Sequence, residues 1–281
     1  YRNLAELRAT NGQAENNFFK TFGLDYKYLE NGNDIESLIH LFEEVKDIDH
    51  PIVLHIHTEK GRGYQPALEN KEAFHWHMPF DLETGQSKVI DSGKSYSSVM
   101  LDYMDKKVSE GLPLVAINAA IPGIFGLKQF AAKYPDRYID AGIAEQFTIT
   151  FGGAMAAAGA RPIIFHNSTF VQRAYDQFWH DLAINEEPAI VIVKGGVISG
   201  SDETHQGSSA MTWISNIPNI KYLAPTSEEE FISILDWALE QHEEPVVIQM
   251  PEHGLESRPT VLTDYSTPSY QMTKSGEKVA L

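Results

Sequence analysis

Four short apolar runs constrain this chain more than anything else in it: LPLVAIN (112–118), PIIFHN (162–167), AIVIVK (189–194) and PVVIQM (245–250). None alternates polar with apolar residues, so a strand built from any of them must be covered on both faces. Helical patterns lie between them, over 95–109, 127–134, onward from Glu145, over 170–184, and over SEEEFISILDWALEQ (227–241). RYIDA (137–141) leads into the Glu145 helix, and IKYLA (220–224) gives one further strand. Apolar strands separated by helices predict an α/β fold, a doubly wound parallel sheet with helices on both faces. Ligands of such sheets bind outside the C-terminal strand ends, where the strand order reverses. Glu145, Asn167 and Lys194 fall at or just beyond strand ends, so they are expected to edge one crevice.

The regions outside this core are less regular. From Asp34, DIESLIHLFEEVKD offers an N-cap followed by Ile35, Leu38, Ile39, Phe42 and Val45 at helical spacing. PIVLHIH (51–57) follows as a β-rich run. The polar stretch from Thr58 to Lys94 reads as an extended linker or active-site loop. HGLESRPTVLTDYSTPSYQMTKSG, near the end, reads as an interdomain connector. The first residue is not Met, and the closing GEKVAL resembles the opening of a strand, so the chain is expected to be part of a longer protein.

A formal net charge of −17 argues against a nucleic-acid partner or an anionic membrane surface, both of which need basic surface. A small anion held by a few local cations stays possible. Without cysteine there is no disulfide, no thiolate chemistry and no Cys-ligated metal, which fits a cytoplasmic enzyme. No apolar run approaches the roughly 18 residues of a membrane span. The opening YRNLAELRAT lacks the apolar core of a signal peptide.

The stretch YIDAGIAEQFTITFGGAMAAAGARP (138–162) sets one carboxylate, Glu145, at the head of an apolar helix. Phe147, Ile149, Phe151, Met155 and the alanines leave no polar stripe, so the helix is expected to bury most of its faces. Glu145 then has two readings: a first-turn carboxylate favoured by the helix dipole, or a carboxyl in an apolar pocket with a raised pKa, ready to exchange a proton with a ligand. Two H-x-H pairs, His55/His57 and His75/His77, suggest metal ligation, but no third and fourth ligands stand nearby, and for the first pair a structural or solvated role is expected. AFHWHMPFD (73–81) is too apolar for a plain linker and reads as a lid or part of an interface. The loop after Lys194 holds Gly195, Gly196, Gly200 and Gly207 with Ser201, Asp202, Glu203, Thr204 and His205. It lacks the G-x-S-x-G of a nucleophile elbow, so a serine hydrolase is a weak alternative. In TFVQRAYDQFWHDL (169–182), Arg173 can pair with Asp176 on the helix surface or reach into the crevice.

Together DAGIAEQ, STFVQRAYDQ, THQG, EKGRGY and FHWHMPFD, at their spacing in the chain, resemble the 1-deoxy-D-xylulose-5-phosphate synthase family of transketolase-like thiamine diphosphate enzymes. The resemblance implies that Glu145 bonds N1′ of the cofactor's aminopyrimidine and promotes the imino tautomer that deprotonates the thiazolium carbon. It implies that Phe170 packs on the pyrimidine, that Ile143 and Tyr64 contact the cofactor, and that His75 and His205 are acid/base or polarising groups. Arg173, Lys194 and Asn167 are the implied substrate-binding residues. The implied reaction decarboxylates a 2-oxo acid, pyruvate, and joins the two-carbon unit to an aldehyde, within isoprenoid biosynthesis. The implied protein is a cytoplasmic homodimer using thiamine diphosphate and Mg²⁺.

The family holds its metal and diphosphate with a G-D-G motif and a later Asn, and this chain has no G-D-G. No metal ligand is therefore assigned. The family layout makes residues 1–88 the tail of a diphosphate-binding domain plus active-site loop, 89–252 a pyrimidine-binding domain, and 253–281 a linker with the first strand of a third domain. Some positions depart from the pattern. Lys194 stands for the family's Arg, Gln249-Met-Pro-Glu252-His for RYPRG, Phe147 for the His after GIAEQ, Asn167 for the Tyr before STF, and Asn31-Gly-Asn33-Asp for DGHD. Lys is a point charge where Arg is a bidentate fork, so the phosphate clamp is altered. Three alternatives follow: a paralogue with a different, unphosphorylated acceptor, a non-catalytic transketolase-like subunit, and a metal-dependent hydrolase built on the H-x-H pairs.

Overall fold

The computed structural model describes residues 2–75, 79–88, 93–196, 204–252, 254–260, 262–267 and 276. They fall in two compact units, Tyr1–Asp91 and Ser92–Leu281. His77, Gly200, Ser201, Asp202 and Glu203 lie outside the described residues.

The first unit contains α1 (Arg2–Ala9), β1 (Asp25–Leu29), α2 (Ile35–Val45), β2 (Ile52–Ile56) and α3 (Gln65–Glu69). Asp34 caps α2 as its sequence predicts, accepting from the Ser37 N–H at 2.9 Å. β1 pairs in parallel with β2, Asp25 facing Ile52 and Leu29 facing Ile56. The stretch from Thr58 is more ordered than a linker. Besides α3 it holds a bridge between Phe80 and Ser87, and Tyr64, Phe74 and Phe80 pack ring against ring at 5.2–6.0 Å. His55 takes a 2.7 Å bond with the Tyr26 hydroxyl and packs edge-on against Phe19 and Tyr28. His57 faces Glu30 at 3.5 Å. Both imidazoles thus have protein partners, and no three His, Asp or Glu side chains meet in a metal-holding group among the described residues.

The second unit carries the expected sheet. Its elements are α4 (Tyr96–Ser109), β3 (Leu114–Asn118), α5 (Pro122–Phe125), α6 (Leu127–Lys133), β4 (Tyr138–Asp140), α7 (Glu145–Ala157) and β5 (Arg161–Asn167). A helical run then passes through α8 (Ser168–Val171), a 3₁₀ turn (Gln172–Ala174), α9 (Tyr175–Gln177) and a π turn (Phe178–Ala183). β6 (Ile190–Lys194), α10 (Ala210–Ser215), β7 (Lys221–Leu223), α11 (Glu228–Glu240) and β8 (Val246–Met250) complete it. The six strands are parallel in the order β4-β3-β5-β6-β8-β7. The order reverses between β3 and β5, which neighbour each other while β4 lies on the far side of β3.

Strand periodicity sends alternate residues to opposite faces. Leu114, Ala116, Ile163, Phe165, Ile190, Ile192, Val246 and Ile248 pack with α4, α6 and α11. Ile117, Ile164, Val191, Val193 and Val247 pack with α7, the 168–183 run and α10. One expectation is corrected here. α7 buries only the seam Glu145, Thr148, Ile149, Gly152, Gly153 and Ala156, whose spacing is one helical stripe. Phe147 is exposed and stacks on Phe151 at 5.2 Å, so the helix's apolar composition overstated its burial.

The seam is narrow because its middle is glycine. A Cβ on Gly152 would overlap Ile164 Cδ1 and lie 2.9 Å from Cγ1, while one on Gly153 would lie 3.0 Å from Leu182. Gly152→Ala therefore overpacks the α7–β5 contact, and a loss of about 1–3 kcal/mol is expected in urea unfolding of the chain. An unchanged midpoint would mean that α7 is not seated through this glycine.

Candidate active site

The C-terminal edge of the sheet is organised around Asp140, at the end of β4. Its carboxylate accepts from the backbone N–H of Ala120 at 3.0 Å and of Gly142 at 2.9 Å, and from the Asn118 amide at 3.1 Å. Ala120 has φ +60°, a conformation rarely adopted by a residue with a side chain, and the bond to Asp140 helps hold it there. One side chain therefore fixes both the turn after β3 and the loop that delivers the chain to Glu145. Ile143, in that loop, is 78% exposed.

Glu145 opens α7 as the first-turn reading expects, with its side chain only 4% exposed. The pocket is not wholly apolar, however. The Arg173 guanidinium donates to Glu145 Oε2 at 3.3 Å, from a side chain 58% exposed. Arg173 sits in the 3₁₀ turn after α8, so the helical run following β5 brings it across to α7. Phe170 is half-buried in α8 and meets the His205 ring edge-on at 5.6 Å. His205 is exposed and its Nδ1 lies 2.7 Å from the Thr204 hydroxyl. The loop approaches closely here because a Cβ on Gly207 would collide with Ser168 Oγ.

Other expected residues have protein partners of their own. Asn167 and Lys194 are register partners at the ends of β5 and β6. Asn167 uses its side chain to cap α8, accepting from the Thr169 N–H at 2.9 Å. Lys194 turns towards α4 and α5, where its ammonium donates to the Ile124 carbonyl at 2.7 Å and to Ser97 Oγ at 3.2 Å, 5.9 Å from the Phe125 ring centre. Burial pulls its pKa below the usual lysine value, and Glu252 acts against this. Gln249 is tied to the Val193 and Gly195 carbonyls and to the Tyr222 hydroxyl. In the first unit, the Tyr64 hydroxyl donates to the Leu82 carbonyl at 3.0 Å, and exposed His75 accepts from Lys60 through Nδ1 at 2.7 Å.

Two residues behind the site were not singled out from the sequence. His166, inside the apolar run PIIFHN, is fully buried and bonds Thr148 Oγ1 at 2.8 Å. A polar residue in a strand covered on both faces was the available signal, since such a group needs a partner. Thr148, in turn, is the hydroxyl on the buried seam of α7.

A buried carboxylate suits a planar nitrogen heterocycle, whose ring N–H can donate to the acid. Comparison with known proteins gives this arrangement its lineage. Residues 92–257, more than half of the chain, match the family model for the transketolase pyrimidine-binding domain. The chain belongs to the transketolase family. Residues 3–58 also match a 1-deoxy-D-xylulose-5-phosphate synthase model. The 1-deoxy-D-xylulose-5-phosphate synthase 1 of Geobacter metallireducens is 40% identical over 238 residues, 83% of this chain and 37% of that protein. The synthase of Clostridium acetobutylicum is 34% identical over 269 residues, 94% of this chain and 43% of that protein. The chain thus spans about two fifths of the length of these curated relatives. Among solved structures, a split-gene transketolase in an inactive β4 tetramer aligns with TM-score 0.51 at 19% identity, covering 63% of this chain and 57% of that one. A transketolase from Pichia stipitis in complex with sedoheptulose 7-phosphate aligns with TM-score 0.51 at 13% identity, covering 84% of this chain and 48% of that one. At these identities the structures speak to the transketolase fold, and the described residues include no helix long and apolar enough to cross a membrane.

The buried His166 makes a pH prediction. Burial lowers its pKa from 6.5 to about 3. Between those values the unfolded chain binds a proton that the folded chain refuses, so stability falls as the pH falls through this window. Above about pH 6.5 the group is neutral in both states and contributes no slope. The expected slope is at most about 1.4 kcal/mol per pH unit, and it should vanish in His166→Gln. Equal slopes for both proteins in denaturant unfolding between pH 4 and 6 would show that His166 is not held neutral.

Proposed function

We propose that the chain forms the pyrimidine-binding part of a thiamine diphosphate-dependent transferase. It would decarboxylate a small 2-oxo acid, pyruvate, and join the two-carbon unit to an aldehyde, in the manner of 1-deoxy-D-xylulose-5-phosphate synthase. The observation that carries this reading is the nearly buried Glu145 carboxylate at the carboxyl edge of a transketolase-type sheet. The residues present fit the cofactor's pyrimidine. Besides Glu145 and the Phe170 ring, the buried Thr169 hydroxyl has no protein partner among the described residues, which leaves it free for a polar ligand atom.

Thiamine diphosphate, when bound, supplies the nucleophilic carbon that attacks the 2-oxo acid and carries its two-carbon fragment. Glu145 would hold a proton against the pyrimidine N1′, and its burial keeps water from competing for that bond. Phe170 would pack on the pyrimidine, with Ile143 and Tyr64 completing the contacts. Arg173 would orient Glu145 and offer its remaining donors to the substrate carboxylate. His205, and His75 of the first unit, would move protons at the substrate oxygens. Asn167, by capping α8, would set the start of the helix that carries Phe170. Mg²⁺, a homodimer and a cytoplasmic location belong to the same proposal, as does the division into residues 1–88, 89–252 and 253–281.

A second reading concerns the acceptor, and Lys194 favours it. Two of its donors are engaged by Ile124 and Ser97, and Gln249 is engaged by backbone. Neither offers a ready clamp for a phosphate dianion among the described residues, which supports an aldehyde acceptor without phosphate.

Glu145→Gln should lower carbon dioxide release from pyruvate by about 10²–10⁴-fold, the range of a positioned proton donor or acceptor, with an unchanged unfolding midpoint. Retained turnover would refute the role given to Glu145. The acceptor is tested by carbon dioxide release from the intact protein with thiamine diphosphate and Mg²⁺, comparing glyceraldehyde with glyceraldehyde 3-phosphate. Preference for glyceraldehyde in kcat/KM is expected. A strong preference for the phosphate ester would return the protein to ordinary synthase specificity.

A further inference from the structure

Behind Glu145 lies a polar pair that the proposed chemistry does not use. Thr148, one turn further along α7, and His166, the last residue but one of β5, are both fully buried. Thr148 Oγ1 lies 2.7 Å from the Glu145 backbone carbonyl and 2.8 Å from His166 Nε2. A hydroxyl has one proton and two lone pairs, whereas a carbonyl oxygen can only accept. Once Thr148 donates to Glu145, its lone pairs face Nε2, and Nε2 must carry the hydrogen. His166 Nδ1 is then a bare acceptor, and it has no partner among the described residues. The opposite tautomer would instead strand an N–H donor in the core and would take the Thr148 proton away from the Glu145 carbonyl.

We propose that Thr148 and His166 are positioning residues for Glu145, a neutral hydroxyl–imidazole pair that ties the first turn of α7 to the end of β5. β5 runs directly into Asn167, Ser168, Thr169 and Phe170, and from there to Arg173. The pair therefore fixes the helix carrying the carboxylate relative to the segment carrying Phe170 and Arg173. Burial of the imidazole, which disfavours its charged form, keeps Nε2 a single neutral donor. In its consequence for cofactor binding, this inference rests on the thiamine reading.

Two measurements on the full-length protein test it. Imidazole ¹⁵N spectra, with the His166 signals identified by their loss in His166→Gln, read the tautomer without reference to activity. A protonated Nε2 with a bare Nδ1 is expected at neutral pH, and a protonated Nδ1 or an imidazolium overturns the proposal. Thiamine diphosphate affinity, followed by tryptophan fluorescence with Mg²⁺, then compares Thr148→Val with Thr148→Ser. Valine keeps the shape and loses the bridge, whereas serine keeps the hydroxyl. Valine should weaken binding about three- to tenfold, the scale of one hydrogen bond, and serine should stay within about twofold of the parent. Equal affinities for the two variants overturn the link to Glu145, since a merely structural threonine would change stability without separating them. Failure of the thiamine reading looks different. Glu145→Gln would then bind the cofactor as the parent does, or neither would bind it, and the tautomer would still decide the pair.

Discussion

How closely α7 lies on β5 governs the rest of the site. Gly152 faces Ile164 and Gly153 faces the turn at Asp181 and Leu182, and side chains at either place would push the helix away. Glycine in a helix costs about 0.5–1 kcal/mol relative to alanine, so this approach is held at some expense to the helix itself. With the helix seated, Ile149 and Ala156 enter the apolar layer, Thr148 comes within reach of His166, and the Glu145 carboxylate is buried where Arg173 can meet it. A helix standing farther off would leave His166 without a partner for either nitrogen and Glu145 in contact with water.

Much of this was legible in the sequence. The runs PIIFHN, AIVIVK and PVVIQM became neighbouring central strands because their unbroken apolar character leaves only a doubly covered sheet. Asp34, Ser95 and Ser227 cap α2, α4 and α11, since short polar side chains there satisfy N–H groups that a helix leaves open. β1 was missed because DYKYL is short and half polar, and its partner β2 is what makes it a strand. The exposed face of α7 was missed because a helix apolar all round does not reveal which side a sheet will cover. The direction of Lys194 was equally invisible. Its position at a strand end followed from the pattern, but the acceptors Ile124 and Ser97 come from segments about 70 and 97 residues away in sequence, a separation that no local pattern spans.

The same contrast runs through the electrostatics. In a chain carrying an excess of 17 negative charges, the cations near the sheet edge are engaged by the fold: Lys194 by a carbonyl, a hydroxyl and an aromatic ring, Arg173 by Glu145. Desolvation makes a buried ammonium costly unless its donors are used, and Lys194 uses them on the face opposite α7. Net charge, a bulk property, argued against nucleic acid as a partner, yet it said nothing about where individual cations point.

Asp140 joins two loops that are far apart in sequence. Its carboxylate serves the backbone after β3 and the backbone before α7 at once, and one of those loops is held in a conformation that alanine rarely adopts. The two loops are thereby coupled under evolutionary change. An insertion or deletion in either one alters the separation that a single carboxylate has to bridge, so lengths at both places should drift together or not at all.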